Sequence, residues 1–173
     1  MPPKAKVSRE EILDKAFELT RKNGYENLTA RLLAKELNCS TQPIFHIFEN
    51  MDHLKAALYE KVRLYFSEVM TKPSTDPDIP LFLSMGLSYL ELAQTEKHLF
   101  RLLCMSDSFQ LNSLYELAGK DIPSLDSKVV TKMWIFTHGI ASILATNTTV
   151  LPKTEIRELL IEVFQDFYHG KPD

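Results

Sequence analysis

Two residues, Asn38 and Cys39, are all that separate two short segments with helical apolar spacing, and this narrow gap restricts the chain more than any other feature. The first segment opens at Thr29, whose hydroxyl can accept an unpaired N–H of a first helical turn, and sets Leu33, Ala34 and Leu37 on one face. The second opens at Ser40, with Thr41 able to start the helix, and sets Ile44, Ile47 and Phe48 on one face. Asn tolerates the left-handed backbone that ends a helix, and Cys39 is small and apolar enough to tuck beneath the corner. Ala34 has almost no side chain, which lets two helices cross closely. Two short helices about so tight a turn make a helix-turn-helix. Pro43 fits near the start of the second helix because first-turn N–H groups have no intrahelical partner, provided that Ser40 caps Gln42.

The flanking sequence supplies a frame for that unit. Ser8 and Glu11 have capping-box spacing ahead of an apolar stripe of Ile12, Ala16 and Leu19, widened by Phe17 and closed by Gly24. Arg21 and Lys22 suit the negative end of that helix, and Tyr25 and Leu28 cover the open end of the small core. Asn50 can cap a fourth helix that runs without Gly or Pro to about Lys72, burying Leu54, Leu58, Val62, Tyr65, Phe66 and Val69. The segment KPSTDPDIP, residues 72–80, is the clearest break. Beyond it come helical patterns over residues 80–95, His98 to Met105 and Leu111 to Ala118, then a long helix after Pro123 to about Thr146 and a last one after Pro152 to about Tyr168. No stretch alternates strictly, so the fold class is all-α with about nine helices. Residues 1–50 make a helix-turn-helix DNA-binding domain, residues 51–72 its connecting helix, and residues 73–173 a second, helical domain.

Charge is divided along these lines. The net charge is −3, yet residues 1–72 carry 12 Lys+Arg against 10 Asp+Glu, whereas residues 73–173 carry 8 against 13. The small basic excess sits with the helix-turn-helix, as a phosphate-facing end requires. There is no apolar run of about 18 residues to cross a bilayer. The first residues, MPPKAKVSREE, contain no signal-like apolar stretch, so a cytoplasmic location without membrane is expected. Cys39 and Cys104 lie in apolar helical patterns and read as buried reduced thiols. The chain has no H-E-x-x-H, no phosphate-binding glycine loop and no C-x-x-C, and no spacing fixes His98, Cys104 and His138 on one face. No enzyme activity, metal site or cofactor is expected.

The first residues of the second helix of such a motif reach base edges in the major groove. Here they are Thr41, Gln42 and His46: Gln pairs with adenine N6/N7, Thr meets a thymine methyl, and His donates to guanine or a phosphate. Thr29, Arg31, Lys55, the open N–H groups of the second and fourth helices, and Lys4 and Lys6 on a short N-terminal arm are candidates for the phosphates.

Thr29, Ala34, Leu37, Cys39-Ser40, Ile44-Phe45, Phe48 and Leu54, preceded by Ile12, Ala16, Leu19 and Gly24, resemble the TetR family of bacterial transcriptional regulators over roughly the first 60 residues. Over the rest the likeness is looser, carried by Trp134, His138, Gly139 and Ala141. Where the family usually has Tyr, then His or Tyr, then Lys opening the fourth helix, this chain has Phe45, Ile47 and Met51. Phe45 thus takes a phosphate-contact position without a polar group, and a helical dimeric interaction protein that has lost operator binding is the second class the sequence allows. The resemblance implies a repressor of a palindromic operator, released by a small apolar or aromatic effector. It also implies that the last two helices pair with their copies in a homodimer, through Phe136, Gly139, Ile140, Ile143, Leu160, Val163, Phe164 and Phe167; a deeper core within one chain is the alternative. An effector pocket then falls among Phe66, Met85, Tyr89, Phe100, Met105, Phe109, Trp134 and His138.

Overall fold

The computed structural model of the protein describes residues 7–72, 79–106, 126–146 and 151–169. These residues form eight α-helices and one short 3-10 turn, with no strand among them. Helix α1 spans Arg9–Asn23, α2 Ala30–Glu36, α3 Gln42–Phe48 and α4 Met51–Met70. After them come α5 Leu81–Thr95, α6 Lys97–Cys104, α7 Ser127–Thr146 and α8 Lys153–His169. The chain is all-α, as its patterning implies. The short helix expected at Leu111 to Ala118, most of the Pro-rich break, and Lys4, Lys6 and Phe109 lie outside the described residues.

Local chemistry sets most helix ends. Ser8 Oγ accepts from the Glu11 amide at 3.1 Å, and the Glu11 carboxylate accepts from the Ser8 amide at 2.7 Å, completing the capping box. Gly24 stops α1 at φ +85°, and a Cβ there would lie 2.9 Å from Glu26 Oε2 and 3.2 Å from His98 Nδ1. Thr29 caps α2, its hydroxyl accepting from the Leu32 amide. At the far end of α2, Asn38 takes φ 52° while Cys39 N–H donates to Ala34 O at 2.9 Å and Asn38 N–H to Lys35 O at 3.2 Å. That pair of bonds is the Schellman termination. The expected Ser40 cap does not form: Thr41 takes the capping position in helical conformation, with no side-chain bond. Pro43 still sits in the first turn, where no hydrogen bond is forfeited. Between α3 and α4 the chain reverses in a γ-turn at Glu49, φ 59° and ψ −51°, with Asn50 N–H donating to Phe48 O at 2.6 Å. Asn50 then caps α4 by accepting from the His53 amide.

Ile12, Ala16, Leu33, Ile44, Phe48 and Leu54 are buried together in the head formed by α1, α2, α3 and the start of α4. Further along α4, Leu58, Val62, Phe66 and Met70 continue the buried stripe toward α5 and α6. The body is built on α5 lying against α7, with α8 packed on both and α6 crossing α7. Arg101 on α6 donates from Nε and Nη2 to Ala145 O, closing the C-terminal end of α7. Helix α7 is long and apolar enough to cross a bilayer by length and composition, contrary to the expectation that no such run exists. Met133, Thr137, Ile140, Ala141, Leu144 and Ala145 bury one side of it in the body, which is the habit of a core helix.

A second tie joins head to body at the end of α1. The Arg21 guanidinium lies over Phe17 at 4.9 Å and Tyr65 at 5.2 Å, and its Nε donates to Glu96 Oε2 at 2.9 Å. The Tyr65 hydroxyl donates to Glu96 Oε1 at 3.2 Å, so one carboxylate just before α6 holds both α1 and α4. Arg21 is partly exposed, so most of its contribution comes from stacking rather than charge. Arg21→Ala is expected to lower the free energy of unfolding by about 1–2 kcal/mol in urea titration. Arg21→Lys, which keeps the charge but not the planar stack, should lose at least half as much. An unchanged midpoint in Arg21→Ala would show that the tie contributes nothing.

Candidate nucleic-acid interface

Helix α3 anchors itself through Ile44 and Phe48, both buried, and through Ile47, half-buried. This leaves Gln42, Phe45 and His46 exposed at i, i+3 and i+4, one outward face with Pro43 at its edge around a shallow surface hollow. Thr41 is half-buried at the mouth of the helix. Gln42 and His46 therefore stand exposed side by side on this helix, and Phe45, 39% exposed, stands to one side of them on the same outward surface. A phenyl ring there offers no hydrogen bond but can meet a thymine methyl.

Around this face the cationic groups differ in freedom. Arg31 and Thr29 are exposed at the start of α2. Lys55 is half-buried, with Nζ 5.0 Å above the Tyr25 ring, so it braces the head as well as offering charge. Arg9 lies over the Phe48 ring at 5.2 Å, and the sequence reading missed it. Met51 and Ile47 pack partly against the head core, which explains why apolar side chains are accommodated at both positions.

At the other end of the molecule a cavity of about 70 Å³ lies between the end of α4 and helices α5, α7 and α8. Met85, Tyr89 and Trp134 line it as expected. Phe66, Phe100, Met105 and His138, also expected there, do not line it among the described residues. Phe66 and Phe100 are fully buried in the core behind it, and Met105 is 44% exposed at the end of α6. His138 stacks on Trp134 at 5.0 Å and shares a hydrogen bond with the Tyr89 hydroxyl through Nδ1 at 2.8 Å, one layer back. The walls missed from sequence include Met70, Phe82, Gly86, Val130, Met133 and Thr137. Their signal was present as two matching rows at i, i+3, i+4, i+7: Phe82, Met85, Gly86, Tyr89 and Val130, Met133, Trp134, Thr137.

Burial sets the protonation around the cavity. It pushes the Tyr89 phenol far up, raises the Cys104 thiol to about 12, and holds His138 below its ordinary 6.5. At neutral pH all three are uncharged, and Cys104 is a protonated, unreactive thiol. Both cysteines are free. Among the described residues no three His, Cys, Asp or Glu side chains group around a metal-sized space.

The outer side of α7 and α8 is the third notable surface. Ile135, Gly139 and Ile143, four residues apart, form an exposed row, and a Cβ on Gly139 would meet only open space. Phe136, Val163, Phe164 and Phe167 are half-buried beside it. Ile140 and Leu160, expected at a dimer interface, are instead buried in the chain's own core: Leu160 approaches Gly86 across α5, and only 1% of it is exposed. The two apolar stripes on α7 thus divide, one turned inward and one outward.

The profile of the bacterial regulatory proteins of the tetR family matches residues 12–58, from α1 into α4. A TetR-like transcriptional regulator from Rhodococcus sp. RHA1 shares the fold with a TM-score of 0.65 at 16% identity, over 99% of this chain and 100% of that one. A protein described as a transcriptional regulator of the TetR family, from Vibrio parahaemolyticus, gives 0.62 at 18% identity, over 92% and 97%. No curated protein sequence matches.

The His138 environment makes a pH prediction. The folded state resists protonating this ring while the unfolded chain takes up a proton near 6.5, so stability is lost as pH falls below that value. The thermal midpoint of the wild type should fall more steeply from about pH 7 to 5.5 than that of His138→Asn. Parallel curves would show that His138 titrates freely in the fold.

Proposed function

We propose that the chain, whose N-terminal head matches the profile of the tetR family of bacterial regulatory proteins, is a homodimeric repressor that binds a palindromic operator and leaves it when a small apolar effector enters the body. The observation that carries this reading is the outward face of α3, where Gln42 and His46 stand exposed on a helix fixed from behind by Ile44 and Phe48. Gln42, His46 and Thr41 read base edges, with Phe45 against a thymine methyl. Thr29, Arg31, Lys55 and, on the N-terminal arm, Lys4 and Lys6 hold phosphates. The exposed row of Ile135, Gly139 and Ile143, with Phe136, Val163, Phe164 and Phe167 beside it, meets its copy across a two-fold axis, which gives the two recognition helices a palindrome requires. Residues 1–50 serve as the DNA-binding domain and residues 73–173 as the regulatory and dimerisation domain, in a cytoplasmic protein without catalytic activity.

Helix α4 supplies the route from effector to DNA. Its last residue, Met70, borders the cavity, and its first turns pack beneath α3. An effector that favours one placement of α4 favours one separation of the two heads, a population shift rather than a new contact at the DNA. A second reading, a helical interaction protein without operator binding, is favoured by the exposed phenyl of Phe45 where a phosphate-binding hydroxyl would serve.

The test is binding of the purified protein to DNA flanking its own gene, titrated against salt. Specific binding should exceed that to random DNA and weaken steeply with salt. A Gln42→Ala, His46→Ala double variant should lose at least about tenfold of that preference. Wild-type binding no tighter than to random DNA, both here and in a genome-wide selection, would favour the interaction protein.

A further inference from the structure

We propose that the seam between the last turn of α1 and the start of α6 is a latch held closed against a cost, and that the buried hydroxyl of Thr20 is the group that keeps it weak. Thr20 is fully buried, and its Oγ1 has no hydrogen-bond partner among the described residues. Thr71, Thr95 and Thr146 meet the same need by donating to the carbonyl four residues earlier, whereas Thr20 makes no such bond to Ala16. A hydroxyl in this state has lost its bonds to water and gained none inside, which is rare in a folded chain.

The cost falls on one seam. Gly24 stands one turn after Thr20 on the same side of α1, and a Cβ there would lie 3.2 Å from Nδ1 of His98, in the first turn of α6. To either side of Thr20, Phe17 meets Tyr65 of α4 edge-on at 5.4 Å, and Arg21 donates to Glu96 just before α6. Thr20 is thus enclosed where α1 meets α4 and α6. Arg21 is exposed and Tyr65 and Glu96 are half-buried, so the bonds at the rim of the seam pass to water as it opens. Inside the seam, opening hydrates Thr20 and removes its cost, a gain that a valine of the same shape would not have. Opening frees the end of α1 from α6 while α4 still joins head to body, which gives the head a second placement within reach.

The purpose of such a latch rests on the regulator reading, while the latch itself is measured in the chain alone. Native-state hydrogen exchange of the full chain reads it at two amides, Gly24 N–H bonded to Thr20 O and Phe100 N–H bonded to Glu96 O. In the wild type both should exchange faster than Val62 and Phe66 in the middle of α4, through one shared opening. Thr20→Val should slow both by about fivefold or more and raise the thermal midpoint. Thr20→Ser, which keeps the hydroxyl, should leave them as fast as in the wild type or faster. Unchanged exchange in Thr20→Val, a lower midpoint for that variant, or wild-type seam amides no faster than those of α4 would overturn the proposal. Operator binding is scored separately: slowed seam exchange in a chain that binds no operator would leave the latch standing and sink the regulator reading.

Discussion

Helix α4 has to bury one continuous stripe against two different partners, and most of the structure follows from that demand. Leu54 closes the head, while Leu58, Val62, Phe66 and Met70 carry the stripe on toward the body. A head of α1, α2 and α3 alone is too small to bury a self-sufficient core, so it borrows the face of α4. The same sharing means that the angle of α4 cannot change without carrying α3 along. Arg21, Tyr65 and Glu96 tie α1 and α4 to the start of α6 by stacking and hydrogen bonds, giving the body a second hold on the head.

The head was legible in the sequence because its signals are local. Ser8 with Glu11, Thr29, Asn38 with Cys39, and Asn50 each fix a helix end through bonds to residues within five positions, and each acts as its type suggests. Two local features escaped. Ser40 yields the capping position to Thr41, and Glu49 adopts a positive φ that no glycine or asparagine announces. In the body the information is tertiary. The resemblance implied a dimer face on the last two helices but not which of their residues turn inward, and Ile140 and Leu160, included in that face, lie in the core. The cavity had the same difficulty: Phe66 and Phe100 are large and aromatic, yet they fill the core, while the space opens where Gly86 and Thr137 leave it.

Chemistry is distributed unevenly between the two ends. The outward face of α3 carries the exposed polar side chains of Gln42 and His46, with burial reserved for the residues that orient it. At the far end, burial suppresses charge altogether, keeping Tyr89, His138 and Cys104 neutral around an apolar space. A polyanion at one end and a small uncharged molecule at the other fit that division, and α4 runs from one to the other.

The measurement that bears most directly on two heads reading one palindrome is sedimentation equilibrium of the full chain and of Ile143→Arg, each with and without operator DNA. The wild type should sediment at twice the 19.9 kDa chain mass and bind the operator as that dimer. Ile143→Arg should sediment as a single chain, keep its helical circular dichroism and lose specific operator binding. A wild type that is a single chain at micromolar concentration and occupies the operator one copy at a time would contradict the assignment of the outer α7 and α8 face to dimerisation.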